Sequence, residues 1–139
     1  MMNFLFQRLR QRDVILLAVM VFVLDQASKL FMMNFSPEQV IFNEGSAFGL
    51  LQGFRWLFVG VSVVVLMFLW TAVHWYSSVE VGLLLGGVAG NMVDRLVFGR
   101  VTDFITIGWW PSFNLADGAI SCAVILLLSR HALRRREFM

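Results

Sequence analysis

The chain has 139 residues, 59% of them hydrophobic and 14% charged, with a formal net charge of +2. Soluble domains carry roughly 25% charged residues, so the composition excludes an ordinary soluble fold and points to a bilayer. Arginines gathered at the two ends leave no broad basic face for nucleic acid, and a single Cys122 excludes an internal disulfide.

The first predicted span runs from about Val14 to Met33 and follows Arg8, Arg10 and Arg12. Asp25 and Lys29 interrupt it. They are one helical turn apart, on one face, where opposite charges pair. A cleaved signal peptide would also show a basic start and then apolar Val14 to Leu24. Asp25-Gln26-Ala27-Ser28-Lys29, however, offers no small-x-small cleavage site. The loop from about Asn34 to Arg55 holds Asn43-Glu44-Gly45-Ser46-Ala47-Phe48-Gly49. Around it Val40, Ile41, Phe42, Phe48, Leu50 and Leu51 predict short strands with a glycine-containing turn.

The second span, Trp56 to about His74, is uninterrupted and close to the roughly 20 residues a bilayer needs. A short link, Trp75 to Glu80, leads to a glycine-rich third span, about Val81 to Leu96. There Gly82, Gly86 and Gly90 recur at every fourth position, giving one face that admits a neighbouring helix. Asn91, Asp94 and Arg95 close this span. The second long loop, about Val97 to Leu115, contains Asp103 and Trp109-Trp110-Pro111, and adjacent tryptophans favour the headgroup level. The fourth span runs from about Ala116 to Leu128. Asp117 opens it, Asn114 is placed to cap it, and Arg130, Arg134, Arg135 and Arg136 follow.

The expected fold is therefore an all-α membrane protein, a single domain of four transmembrane helices with a small extracytoplasmic β-rich loop region. Basic flanks at both ends place both termini in the cytoplasm. That orientation brings Asp25, Lys29, Asn91, Asp94, Arg95, Asn114 and Asp117 to the outer end of three different helices. Each could be an ordinary cap or interface charge. Together they form an intramembrane ionisable cluster, which marks a functional site.

Nucleophilic catalysis needs a base beside a serine or cysteine. His74 and His131 lie at the cytoplasmic ends, a membrane thickness away. Ser121 and Cys122 read as packing residues, and Lys29, a conceivable base for Ser46, already has Asp25. No histidine or cysteine set has metal-ligand spacing, although Asp94, Asp103 and Asp117 could form an all-carboxylate site for a hard cation. Paired carboxylates remain: two close acids share one proton, and the pair can activate a water while hydrogen-bonding a carbonyl. Asp103, at the end of a loop strand, and Asp117, at the start of a helix, can converge, with Asn43, Asn91, Arg95 and Asn114 as donors. The competing class is a proton- or ion-coupled transporter subunit. It would need polar residues at several depths, and spans two and four are apolar through their inner halves.

Five runs, in order, resemble the motifs of the lipoprotein signal peptidase (signal peptidase II) family. They are Asp25-Gln26-Ala27-Ser28-Lys29, Asn43 to Gly49, Gly90-Asn91-Met92-Val93-Asp94-Arg95, Gly99-Arg100-Val101-Thr102-Asp103-Phe104-Ile105 and Phe113-Asn114-Leu115-Ala116-Asp117. The resemblance implies a cofactor-free aspartic endopeptidase of the bacterial inner membrane that cuts prolipoproteins just before the lipid-modified cysteine. It assigns Asp103 and Asp117 as the catalytic pair. Asn43, Gly45, Asn91, Arg95 and Asn114 would bind substrate, and Asp25, Lys29 and Asp94 would support the site. It further implies a monomer, working on lipid-modified prolipoprotein signal peptides in contact with membrane lipid, with its site at the periplasmic face and sensitive to globomycin-type cyclic lipopeptides. Two departures stand out. Gly118 follows the second aspartate where serine is expected in many relatives, and the link from Asp103 to Asp117 is compact.

Overall fold

The computed structural model describes residues 2–45, 51–73 and 75–136, with the backbone alone described for 2–9 and 134–136. The Ser46 to Gly49 part of the loop motif, Leu50 and His74 lie outside the described residues. The elements are α1 (Met2–Phe35), a 3-10 turn (Pro37–Gln39), β1 (Ile41–Asn43), α2 (Arg55–Ala72), α3 (Ser78–Phe98), β2 (Val101–Asp103) and α4 (Leu115–Arg136). All four helices are long and apolar enough to cross a membrane, over Arg10–Phe35, Arg55–Ala72, Ser78–Phe98 and Leu115–Leu133.

The expected count of four holds; α1, α3 and α4 run past the apolar stretches that announce them, while α2 keeps close to its expected span. A capping box starts α3 early: the Val79 N–H donates to Ser77 Oγ at 3.3 Å, and the Ser77 N–H donates to Glu80 at 3.2 Å. Gly99 ends α3 with φ +76°, its N–H on the Arg95 carbonyl. At the far end of α4, Arg130 reaches back to the buried Glu80 at 2.9 Å, and the helix continues through the basic tail.

Helix α3 packs against each of the other three. Its glycines make this approach close. A Cβ on Gly82 would fall 2.9 Å from the Leu17 side chain, and one on Gly86 would fall 2.6 Å from the Ala18 carbonyl oxygen. Together with Gly90 they form the expected seam, and its partner is α1. Gly87 adds a seam on another side, where a Cβ would meet the Ala116 carbonyl at 2.7 Å on α4. Outward faces stay apolar and exposed, as at Leu16, Val64, Met67 and Ile125. Such surface suits lipid contact.

The two long loops meet as an antiparallel pair, with Ile41 opposite Asp103, Phe42 opposite Thr102 and Asn43 opposite Val101. The strand expected in the first loop thus takes its partner from the second. A bridge between Ile105 and Phe113 then turns the second loop back toward α4. This return brings Asn114 beside the end of β2.

Candidate active site

Three helices contribute to a buried charged cluster at the end of the bundle formed by the C-terminal halves of α1 and α3. Lys29 is 1% exposed and its ammonium is shared three ways. It lies 2.7 Å from Asp25, 3.1 Å from Asp94 and 3.2 Å from the Asn91 amide oxygen. Buried charges persist only when paired and hydrogen-bonded, and here both acids are used further. Asp25 accepts the Ala116 N–H at 2.9 Å, pinning the start of α4 to α1. Asp94 accepts the Thr102 N–H at 2.9 Å, pinning β2 to α3. The residues that fix the helices therefore also set the positions of β2 and α4, which carry Asp103 and Asp117.

Asn114 joins those two acids. Its Nδ2 donates to Asp103 at 2.8 Å, and its main-chain N–H donates to Asp117 at 3.3 Å. It also caps α4, because its Oδ1 accepts the Asp117 N–H at 2.9 Å. Asn91 donates to Asp117 at 2.8 Å and accepts from Asn114 at 3.0 Å. Asn43 donates to Asp103 at 3.2 Å and accepts the Gly45 N–H at 3.0 Å. Asp103 is thus held by the Asn43 and Asn114 side chains, and Asp117 by the Asn91 side chain and the Asn114 main chain.

Asp103, Asp117, Asn43, Gly45, Asn91 and Arg95 line one cleft of about 500 Å³, together with Trp110 and Phe113. Arg95 donates to the Gly45 carbonyl at 3.2 Å and lies over the Phe58 ring at 4.8 Å. Its guanidinium is thereby fixed at the cleft edge. Burial pushes the Asp103 carboxyl up from 3.8 to about 7, and the neighbouring Asp117 pushes it the same way; hydrogen bonds from Asn43 and Asn114 oppose both. A carboxyl that holds its proton near neutral pH beside a second acid is equipped for acid–base chemistry.

The structure corrects several expectations. Asp94 turns to Lys29 and Thr102 rather than joining Asp103 and Asp117. Among the described residues no three of His, Cys, Asp and Glu converge as metal ligands, so the all-carboxylate cation site does not form. Ser121 and Cys122 are not packed: both are exposed and border the cleft beyond Gly118. Gln26, to which the sequence assigns no role, bridges Asp25 at 3.1 Å and Asp94 at 3.0 Å through its amide. Its sole signal is a polar side chain within the Asp25 to Lys29 run.

Comparisons with known proteins identify the family. The model of the family described as signal peptidase (SPase) II matches residues 17–133. The chain belongs to the signal peptidase II family. It is 40% identical over 129 residues to the lipoprotein signal peptidase of Syntrophomonas wolfei subsp. wolfei, covering 79% of this chain and 86% of that one. It is 39% identical over 132 residues to the lipoprotein signal peptidase of Moorella thermoacetica, covering 81% and 88%. A solved bacterial membrane enzyme superposes with a TM-score of 0.76 at 27% identity, over 86% of this chain and 87% of that one. Family and fold together make this signal peptidase II relative a multi-pass bacterial membrane protein.

Proposed function

We propose that this chain is an aspartic endopeptidase that removes the signal peptide from lipid-modified prolipoproteins, cutting just before the diacylglyceryl cysteine. The observation that carries the reading is the shared cleft: Asp103 and Asp117 both line it and both accept hydrogen bonds from Asn114. Family membership supplies the substrate class.

In the proposed reaction Asp103 holds the shared proton at rest and Asp117 is ionised. Asp117 takes a proton from a water whose oxygen attacks the scissile carbonyl carbon, while Asp103 donates to the carbonyl oxygen. The tetrahedral diol then collapses. The carbon–nitrogen bond breaks as Asp117 gives its proton to the leaving nitrogen, and Asp103 takes a proton from a diol hydroxyl as the carbonyl re-forms, so the acid pair returns to one proton. No covalent intermediate or cofactor is needed. Asn91 and Asn114 keep the carboxylates in register, and Arg95, Gly45 and Asn43 at the cleft edge hold the substrate main chain. Asp25, Lys29 and Asp94 act from below by fixing α4 and β2.

The site lies at the periplasmic boundary, both termini are cytoplasmic, and the enzyme works as a monomer. A cleft at the end of the bundle suits a substrate that arrives within the membrane. The acyl chains stay in lipid, where each buried methylene is worth about 0.8 kcal/mol. This remote binding sets the depth of the scissile bond. A globomycin-type cyclic lipopeptide, imitating the same end, occupies the cleft and blocks it.

The test compares diacylglyceryl precursor with its unlipidated form, using purified enzyme in nanodiscs. The lipidated precursor is expected to be cut at one bond, before the cysteine, and the unlipidated one very poorly. Equal rates would refute lipid as the depth gauge.

A further inference from the structure

Asp25 and Asp94 perform matching tasks. Asp25 accepts the N–H of Ala116, the residue before Asp117, at 2.9 Å. Asp94 accepts the N–H of Thr102, the residue before Asp103, at 2.9 Å. Each cleft acid therefore follows directly on a backbone group fixed by a buried carboxylate. The two fixing carboxylates share a single ammonium, Lys29, and buried carboxylates need further donors. Gln26 supplies one to both. Its Nε2 donates to Asp25 Oδ2 at 3.1 Å and to Asp94 Oδ1 at 3.0 Å, with the Gly90 carbonyl at 3.3 Å. All of these partners are acceptors, so the amide nitrogen rather than the amide oxygen must face them. Among the described residues Gln26 is the one hydrogen-bond donor to Asp94 Oδ1, on a residue 1% exposed.

We infer that Gln26 is a positioning residue of the hydrolysis: its amide ties the Asp25 and Asp94 pins together and so sets how far apart Asp103 and Asp117 stand in the cleft. The inference rests on the proposed function and deepens it. Gln26 is not among the residues that line the cleft, and it acts through Asp25 and Asp94. Without its amide, Asp94 Oδ1 is a buried carboxylate oxygen left without a donor, an unfavourable state. The carboxyl then turns toward other donors, and the Thr102 N–H loses its fixed partner. Asp103 and Asp117 repel each other once both are ionised, so a slack frame lets them part. The upward push of Asp117 on the Asp103 carboxyl then weakens. Lys29 and Arg95 also act on Asp103, and loss of the Gln26 amide removes neither.

The test compares wild type, Gln26→Leu, Gln26→Asn and Gly86→Ala on diacylglyceryl precursor in nanodiscs. Leucine fills a similar volume without a donor. Asparagine keeps the amide on a shorter stem and serves one acid at most. Gly86→Ala strains the same α1–α3 seam without touching the pins, and so controls for lost stability. Gln26→Leu is expected to lower kcat about 10–100-fold with KM within about threefold of wild type, because misplaced reacting groups cost rate rather than binding. It should also move the falling limb of kcat/KM to lower pH, opposite in sign to Asn43→Ala. Gln26→Asn should show both changes in lesser degree, and it carries the test if Gln26→Leu does not fold. Gly86→Ala should show neither. An unchanged kcat and limb in the Gln26 variants, or the same losses in Gly86→Ala, would overturn the assignment. Infrared titration of the Asp103 carboxyl band, identified by its absence in Asp103→Asn, reads the shift without turnover. If nothing is cut the functional reading fails, while the band still decides the role of Gln26: a lowered midpoint supports it and an unmoved one overturns it.

Discussion

Asp103 sits at the last residue of β2, buried, with its carboxyl pushed up to about 7 by burial and by Asp117. A raised acid stabilises the fold in its protonated form. Its contribution is full below about 3.8 and is lost as pH rises through about 7. Thermal unfolding in detergent between pH 4 and 8 should therefore show wild type losing stability with rising pH relative to Asp103→Asn, which mimics the protonated acid. Parallel curves would mean that Asp103 is not raised. In the proposed reaction this proton is the one offered to the substrate carbonyl, so kcat/KM should fall on the alkaline side near the same pH. Asn43 donates to Asp103 and holds its carboxyl down. Asn43→Ala should thus move the falling limb of the kcat/KM profile to higher pH, and a limb that stays in place would contradict the assignment. The local part of this site is readable from spacing: the Asp25–Lys29 pair is one turn apart, and Asn114 precedes a helix. The non-local part is not. Nothing in sequence order places Asn114 on both acids, or Gln26 between Asp25 and Asp94, because those contacts depend on how three helices and a loop return to one point.

Element packing turns on α3. Gly86→Ala should destabilise by about 1–3 kcal/mol, since the new Cβ would lie 2.6 Å from the Ala18 carbonyl and two backbones must part. Gly60→Ala meets nothing and should be neutral or stabilising by about 0.5–1 kcal/mol. Equal melting temperatures for the two variants would contradict the close α1–α3 seam. The glycine period reveals that a seam exists, but not its partner or the second seam at Gly87, which lies outside the four-residue period. Hydropathy finds each span and misplaces the start of α3 and the end of α4, because capping at Ser77 and the ion pair of Glu80 with Arg130 carry helix beyond the apolar run. The β1–β2 pair is half legible: the apolar residues around the loop motif announce a strand, while its partner lies some sixty positions away in the other loop.

At the scale of the molecule, four spans and basic ends predict that the 3-10 turn after α1 faces outward. A single cysteine from Glu38→Cys, in a Cys122→Ser background, should react with an impermeant thiol reagent in intact cells. Labelling only after lysis would reverse the orientation. The gathering of acids from separate helices at one end is legible in the residue order, because depth along each span follows from counting residues. What counting does not give is the division of labour inside the cluster. Lys29, Asp25 and Asp94 hold α4 and β2 in place, and Asp103 with Asp117 face the cleft. On the proposed reading that division leaves Asp103 and Asp117 as the acids of the hydrolysis, and one measurement tests it most directly. Purified wild type, Asp103→Asn and Asp117→Asn, each shown to be folded by its melting curve, are compared in single-turnover cleavage of a diacylglyceryl precursor with the cut bond read by mass. A general acid–base group is worth about 10²–10⁴ in rate, and a pair acting as a unit loses nearly all of it when either member goes. Both variants should fall by at least about 10³-fold while remaining folded; near-normal turnover by either one would contradict the aspartic pair.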